Sequence, residues 1–213
     1  MADPKVVVVD YGMGNVLSVR RALEHCGAAV VLTSDPDAIE KADRLVLPGV
    51  GAFGDCIAAL ESRGLVEPIK RFARSGRPFL GICVGMQILL DVGEEFGGFP
   101  GLGLIPGRVV QIDAGPLRKI PHIGWTPITP PPSANDNRWA NSMFAETAPG
   151  TAFYFVHSFT ARPENESDFL ATADYAGASV TAAIGRDNIV GVQFHPEKSG
   201  PGGLAILTNF VKQ

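Results

Sequence analysis

A chain of 213 residues, 46% hydrophobic and 19% charged, has the composition of a globular protein, not of a disordered segment. A net charge of −4 argues against a nucleic-acid footprint, which needs a clustered Lys/Arg excess. The three cysteines, Cys26, Cys56 and Cys83, form no Cys-x-x-Cys pair, which excludes a zinc ribbon or a thioredoxin-like motif and suits a reducing cytoplasm.

Residues 1–213 read as a single domain. The run VVVVD after Lys5 suits a short strand buried on both faces, and it is too brief for the apolar core of a signal peptide. Nothing approaches the roughly 18 apolar residues of a membrane span, so a soluble, cytoplasmic protein is expected. A helix is predicted from the candidate cap Asn15, through Val16, Val19, Leu23 and Cys26, to a stop at Gly27. A strand at 28–33, a short polar helix near 35–42 and a strand from Arg44 follow, the last running into the loop PGVGAFGD. The pattern then repeats, with a helix from about Cys56 to Ser75, a strand at 78–82 and a helix from Val84 to about Val92. Strands alternating with helices predict an α/β fold, a largely parallel central sheet with helices on both faces.

From about Gly97 the alternation stops. Runs at 107–113, 151–161 and 168–175 suggest antiparallel additions in the second half. The Pro- and Asn-rich segment 128–139 reads as an irregular surface excursion with no chemistry assigned. Residues 182–197 resemble a hairpin turning at 185–188 into a strand that ends at His195, and a final helix is expected from Gly202.

Three constellations carry chemistry. The first is GICVGMQ, residues 81–87, where Cys83 stands between a strand and a helix with glycine two residues to either side. That order matches a nucleophile elbow with Cys in place of Ser, with the Val84 N–H as an oxyanion donor. Taken alone, it also suits a buried thiol in a Gly-containing turn. The second is GVQFHPEKS, residues 191–199, in which Pro196 holds His195 extended and Glu197 falls on the same side, as a carboxylate that orients a base must. A zinc site is the weaker reading of His-x-Glu, because the accompanying Pro-Cys-x-x-Cys is absent. The third is LPGVGAFGD, residues 47–55, a Gly-rich loop at a strand's carboxyl end, with Gly49 to Gly51 as candidates for a second oxyanion donor. DYGMGNVL has Leu17 where a dinucleotide fingerprint needs its third glycine, so nicotinamide binding is rejected.

GICVGMQ with a distant GVQFHPE resembles the triad-type (class I) glutamine amidotransferases. DYGMGNVLSV, LPGVGAFGD, PHIGW, YFVHSF and GVQFHPEKS, in this order, are similar to the branch that forms the glutaminase subunit of imidazole glycerol phosphate synthase, in histidine biosynthesis. The resemblance spans nearly the whole chain. It implies Cys83 as nucleophile, His195 as base and Glu197 as its orienter, with Val50 and Gly51 joining Val84 around the oxyanion. It implies Gly49, Gln87 and Glu95 in the glutamine pocket. It also implies Asn15, Trp125, Tyr154 and Lys198 at the face that meets a (β/α)8-barrel cyclase partner. Thr126 stands where the branch usually has Asn, and Phe159 where Tyr is frequent; neither is expected to touch the triad. The implied reaction hydrolyses L-glutamine and passes ammonia to the partner, with no metal or organic cofactor and no nucleic acid or membrane. Another amidotransferase, a non-catalytic scaffold and a Cys peptidase on the same architecture are the rival readings.

Overall fold

The computed structural model describes residues 4–113, 115, 119–131, 138–140 and 142–213. The first half alternates as its apolar runs predict: β1 Lys5–Val9, α1 Val16–His25, β2 Ala29–Thr33, α2 Pro36–Glu40, β3 Arg44–Gly49, α3 Phe53–Ser62, α4 Val66–Ala73, β4 Phe79–Cys83 and α5 Val84–Gln87. The second half is mostly β: β5 Val92–Gly93, β6 Phe99–Pro100, β7 Gly107–Gln111, β8 His122–Thr129, β9 Ala152–His157 and β10 Phe159–Pro163. It closes with β11 Phe169–Tyr175, β12 Ala178–Arg186, β13 Ile189–Val192 and α6 Gly200–Lys212.

Nine strands form one sheet in the order β2-β1-β3-β4-β13-β12-β11-β8-β9. Strands β2, β1, β3, β4 and β13 pair in parallel. From β13 onward every pairing in this sheet is antiparallel, so the additions make up close to half of it rather than an edge. A second small sheet has the order β10-β7-β5-β6. Both α1 and α2 lie against β1, each with a helical neighbour, α6 and α4 respectively. Val6 to Val9 and the whole of β4 are buried, as continuous apolar runs in a covered parallel sheet should be.

Several boundaries depart from the sequence reading. Asn15 precedes α1 but its side chain makes no capping bond. The helix expected over 56–75 is two helices, broken at Gly64, which has φ 64°. The helix expected over 84–92 stops after one turn. Its next carbonyls are taken by the returning chain, with Leu102 N–H on Ile88 O at 2.7 Å and Leu104 N–H on Leu89 O at 2.8 Å. Strand β13 ends at Val192, three residues before His195, because the chain crosses to β9, where His195 N–H bonds Tyr154 O at 2.9 Å. Residues 128 and 129 of the predicted excursion belong to β8, while 132–137 lie outside the described residues. At its far end Trp139 is buried and donates to Leu170 O at 2.7 Å.

The joint between β3 and α5 is the tightest contact that bears on function. A Cβ at Gly85 would stand 1.9 Å from Leu47 O, so only glycine lets the elbow lie on β3. Gly85→Ala is therefore expected to cost about 3 kcal/mol or more, the upper end of overpacking effects. Gly98→Ala, where an added Cβ meets nothing within 4 Å, should stay within about 0.5 kcal/mol. Urea unfolding midpoints of the two variants make the comparison.

Candidate functional site

Cys83 ends β4 with φ 56° and ψ −116°, a conformation sparsely populated for any residue with a side chain. The turn throws the thiol off the strand and into a pocket of about 290 Å³. Val84 follows as the first residue of α5, a position whose N–H has no intrahelical acceptor. The parallel register sets Gly49 beside Cys83, which brings the 48–51 loop to the same spot.

His195 reaches this spot from the opposite neighbour of β4. It is extended, and Pro196–Lys198 forms a 3-10 turn, so Glu197 comes to the same side as His195 through a turn and not through an extended segment. His195 Nδ1 and Glu197 Oε1 lie 2.9 Å apart, and both side chains are buried. The second Glu197 oxygen is buried without a hydrogen-bond partner among the described residues. Ser199 locks the turn, donating to His195 O at 2.6 Å while accepting from Tyr154 N–H at 3.0 Å. With Nδ1 held by Glu197, the other ring nitrogen is left to face the pocket that His195 and Cys83 both line. Burial opposes charge on His195, but the contacts with Cys83 and Glu197 outweigh it and raise the imidazole to about 10. A cationic imidazole beside sulfur is the arrangement that favours a nucleophilic thiolate.

The pocket is lined by Val50, Gly51, Cys83, Val84, Gln87, Glu95 and His195, together with Pro121 and residues 156–159. Glu95 accepts from the Phe53 N–H at 2.9 Å, an otherwise unpaired donor at the start of α3, which fixes its carboxylate at the wall. Gln87 is buried, and its amide nitrogen donates to Gln193 Oε1 at 2.9 Å and Phe159 O at 3.2 Å. It therefore braces the wall more than it reaches into the pocket. Gly49 does not line the pocket. A Cβ there would meet Gly85 N at 2.6 Å, so this glycine serves the β3–elbow packing. Gly51, with φ 93°, is the loop position that demands glycine for its backbone.

Some residues around the pocket escape sequence reasoning. Gln193 is fully buried and its amide nitrogen lies 3.7 Å from Cys83 Sγ. Its only signal is a polar amide inside the apolar run GVQF. A buried chain of contacts also runs through the wall: Thr126 Oγ1 to His122 Nε2 at 2.7 Å, His122 Nδ1 to His157 Nε2 at 2.9 Å, and His157 Nδ1 to Phe159 O at 2.8 Å. Thr126 and Phe159, the two departures from the branch pattern, both belong to this layer, and Phe159 lines the pocket. Burial lowers His122. Burial, with the neighbouring histidines adding to it, lowers His157 to about 4.

Beside the pocket lies an exposed aromatic face. Trp125 is 57% exposed and pairs across the strands with Tyr154, rings 6.2 Å apart and edge to face. Ile123, on the same strand, is 59% exposed, Lys198 is exposed and Asn15 half-buried. A larger, open cavity of about 790 Å³ adjoins the Asp168–Arg186 ion pair and Pro78, at the end of β4 away from Cys83. Its lining includes none of Cys83, His195 and Glu197.

The family description "Glutamine amidotransferase class-I" matches residues 7–213. The imidazole glycerol phosphate synthase subunit HisH 1 of Legionella pneumophila (strain Lens) is 48% identical over 211 residues, covering 97% of this chain and 98% of that one. The corresponding HisH subunit of Geobacter sulfurreducens is also 48% identical, covering 97% of each chain. Among solved structures, PurLQS from Thermotoga maritima aligns with a TM-score of 0.73 at 21% identity, covering 99% of this chain and 98% of that one. A glutamine amidotransferase from the same organism gives 0.61 at 18% identity, covering 92% and 77%. At these identities the structural likeness speaks for the fold alone.

The buried histidines generate a pH prediction. The folded His157 titrates near 4 against an ordinary 6.5, so the unfolded chain takes up its proton first. The stability this residue contributes is complete above pH 6.5 and falls as pH drops towards 4, by up to about 1.4 kcal/mol per pH unit. His195 has the opposite sign and changes only above pH 6.5, outside that window. Urea unfolding across the acid window should show a shallower pH slope for His157→Gln than for the parent chain.

Proposed function

The chain belongs to the class-I glutamine amidotransferase family, and from that premise we propose that it is the ammonia-producing subunit of an imidazole glycerol phosphate synthase. Its partner in this reading is a separate (β/α)8-barrel cyclase. The observation that carries the catalytic reading is the strained Cys83 elbow facing a His195 that Glu197 holds at 2.9 Å. The near-full-length identity to HisH subunits supports the branch.

The chemistry follows from the residues. The Cys83 thiolate attacks the side-chain carbonyl carbon of glutamine, and the resulting oxyanion takes hydrogen bonds from Val84 N–H and an amide of the 50–51 loop. His195 gives its proton to the departing nitrogen, the C–N bond breaks, and ammonia leaves a γ-glutamyl thioester. His195 then takes a proton from water, the hydroxide displaces sulfur, and glutamate is released. Glu95, its carboxylate fixed at the pocket wall, offers a counter-charge for the α-ammonium of the substrate. The exposed face of Trp125, Tyr154, Ile123, Lys198 and Asn15 suits burial against the cyclase.

In the complex with the cyclase, Cys83→Ala should abolish glutamine-dependent synthesis and leave ammonia-dependent synthesis intact; loss of both would make Cys83 structural. In the same assay Glu197→Gln should lower turnover far less than His195→Ala, because an orienter is partly bypassed and a base is not. A further expectation concerns coupling. A missing oxyanion donor is worth roughly 10²–10³ in rate. The Gly49–Val50 peptide stands between two glycines and can rotate at low steric cost. With the Val50 N–H turned away until the partner binds, the isolated chain should hydrolyse glutamine slowly, and the ligand-bound cyclase should raise kcat by about that factor with little change in KM. Steady-state glutaminase assays on chain, complex and ligand-bound complex check it.

A further inference from the structure

The loop that faces Cys83 is held from below by two side chains that line no part of the pocket. Tyr11, 1% exposed, donates from its hydroxyl to Pro48 O at 2.8 Å. Cys56, fully buried in the first turn of α3, lies with Sγ 3.5 Å from Val50 O. The phenol and the thiol are close enough to influence each other's titration. They thus anchor the carbonyls of the peptides on either side of the one that joins Gly49 to Val50.

The C=O and N–H of a trans peptide point in opposite directions. Drawing Val50 O down onto the Cys56 thiol therefore turns the Gly51 N–H up, towards the pocket that Gly51 lines. Drawing Pro48 O onto Tyr11 fixes the peptide that enters Gly49 in the same way. We infer that Tyr11 and Cys56 are positioning residues for glutamine hydrolysis, a clamp beneath the loop that sets which of its amides face the oxyanion. The inference rests on the catalytic reading above and deepens it.

The clamp needs both groups to keep their protons. Burial pushes the Cys56 thiol up to about 11 and holds the Tyr11 phenol well above its ordinary value. Cys56 therefore remains a donor at neutral pH, unlike a nucleophilic cysteine. The identity of the side chain matters only through its proton, so a hydroxyl at position 56 should partly serve.

The test uses Tyr11→Phe, Cys56→Ala and Cys56→Ser, each assayed in the complex with the cyclase alongside the parent chain. Two rates are read: glutamine turnover, and alkylation of Cys83 by iodoacetamide, followed by mass spectrometry of the Cys83 peptide. Alkylation forms the S–C bond as iodide leaves and passes through no oxyanion. Tyr11→Phe and Cys56→Ala are expected to lower kcat at least about tenfold, as a partly misplaced oxyanion donor would. KM and the Cys83 alkylation rate should stay within about twofold of the parent, because neither depends on that donor. Cys56→Ser should recover most of the loss. Unchanged kcat, an equal fall in alkylation, or a Ser variant no better than Ala would each overturn the clamp. Should Tyr11→Phe fail to fold, the two Cys56 variants decide. A parent complex without glutaminase activity would instead overturn the catalytic reading beneath it.

Discussion

The site depends on one contact, the seat of Gly85 against the Leu47 carbonyl, where a single added carbon would stand at 1.9 Å. It presses the elbow onto β3, which puts Cys83 in register with Gly49 and places the Gly-rich loop beside sulfur. The cost is a cysteine at φ 56°, of the order of 1–3 kcal/mol. Burying one Leu or Ile side chain contributes roughly 1.5–3 kcal/mol. Leu80, Ile82, Met86 and Leu89 all flank this turn and are essentially inaccessible, so the packing comfortably over-determines the strained residue.

How much of this was legible in the sequence follows from range. The parallel strands were legible because a strand covered on both faces is apolar throughout, as Val6–Val9 and Phe79–Ile82 are. The elbow and the His195–Glu197 pair were legible because their determinants lie within a few residues of each other. Helix ends were not, because α5 is cut short by carbonyl bonds to residues 102–105, which no local pattern reveals. Gln193 near Cys83 and Tyr11 under Pro48 are joined across 110 and 37 residues, so only the fold shows them as partners. Gly49 shows the converse: its presence was legible, but its close packing against Gly85 was not.

Three buried histidines illustrate how neighbours divide one side chain into different roles. His195 meets a carboxylate and a thiol and is raised to about 10, so it carries its second proton at neutral pH. Burial, which the bond to the Phe159 carbonyl offsets only in part, lowers His157 to about 4, so it stays neutral and acts as a fixed dipole in the wall. Its Nδ1–H and the Gln87 amide converge on the same Phe159 carbonyl, which makes the 157–159 segment a rigid side of the pocket. His122 links the two ends, and the buried Thr126 completes the chain. A residue next to the exposed Trp125 is thereby tied to the pocket wall.

The cysteines are divided by the same logic, and the division explains why the two sulfurs do not compete. Cys83 sits at a strained turn, within reach of an imidazole and open to the pocket. Cys56 is fully enclosed beneath the loop, its sulfur turned to a backbone carbonyl and a phenol. Desolvation dominates the second and keeps it a protonated donor. A donor that keeps its proton at neutral pH holds the Val50 carbonyl steadily, while in the proposed reaction the Cys83 sulfur changes charge and bonding. The glycine-rich loop between them is thus gripped from below and open to the pocket above, which is how a flexible sequence can present a fixed amide.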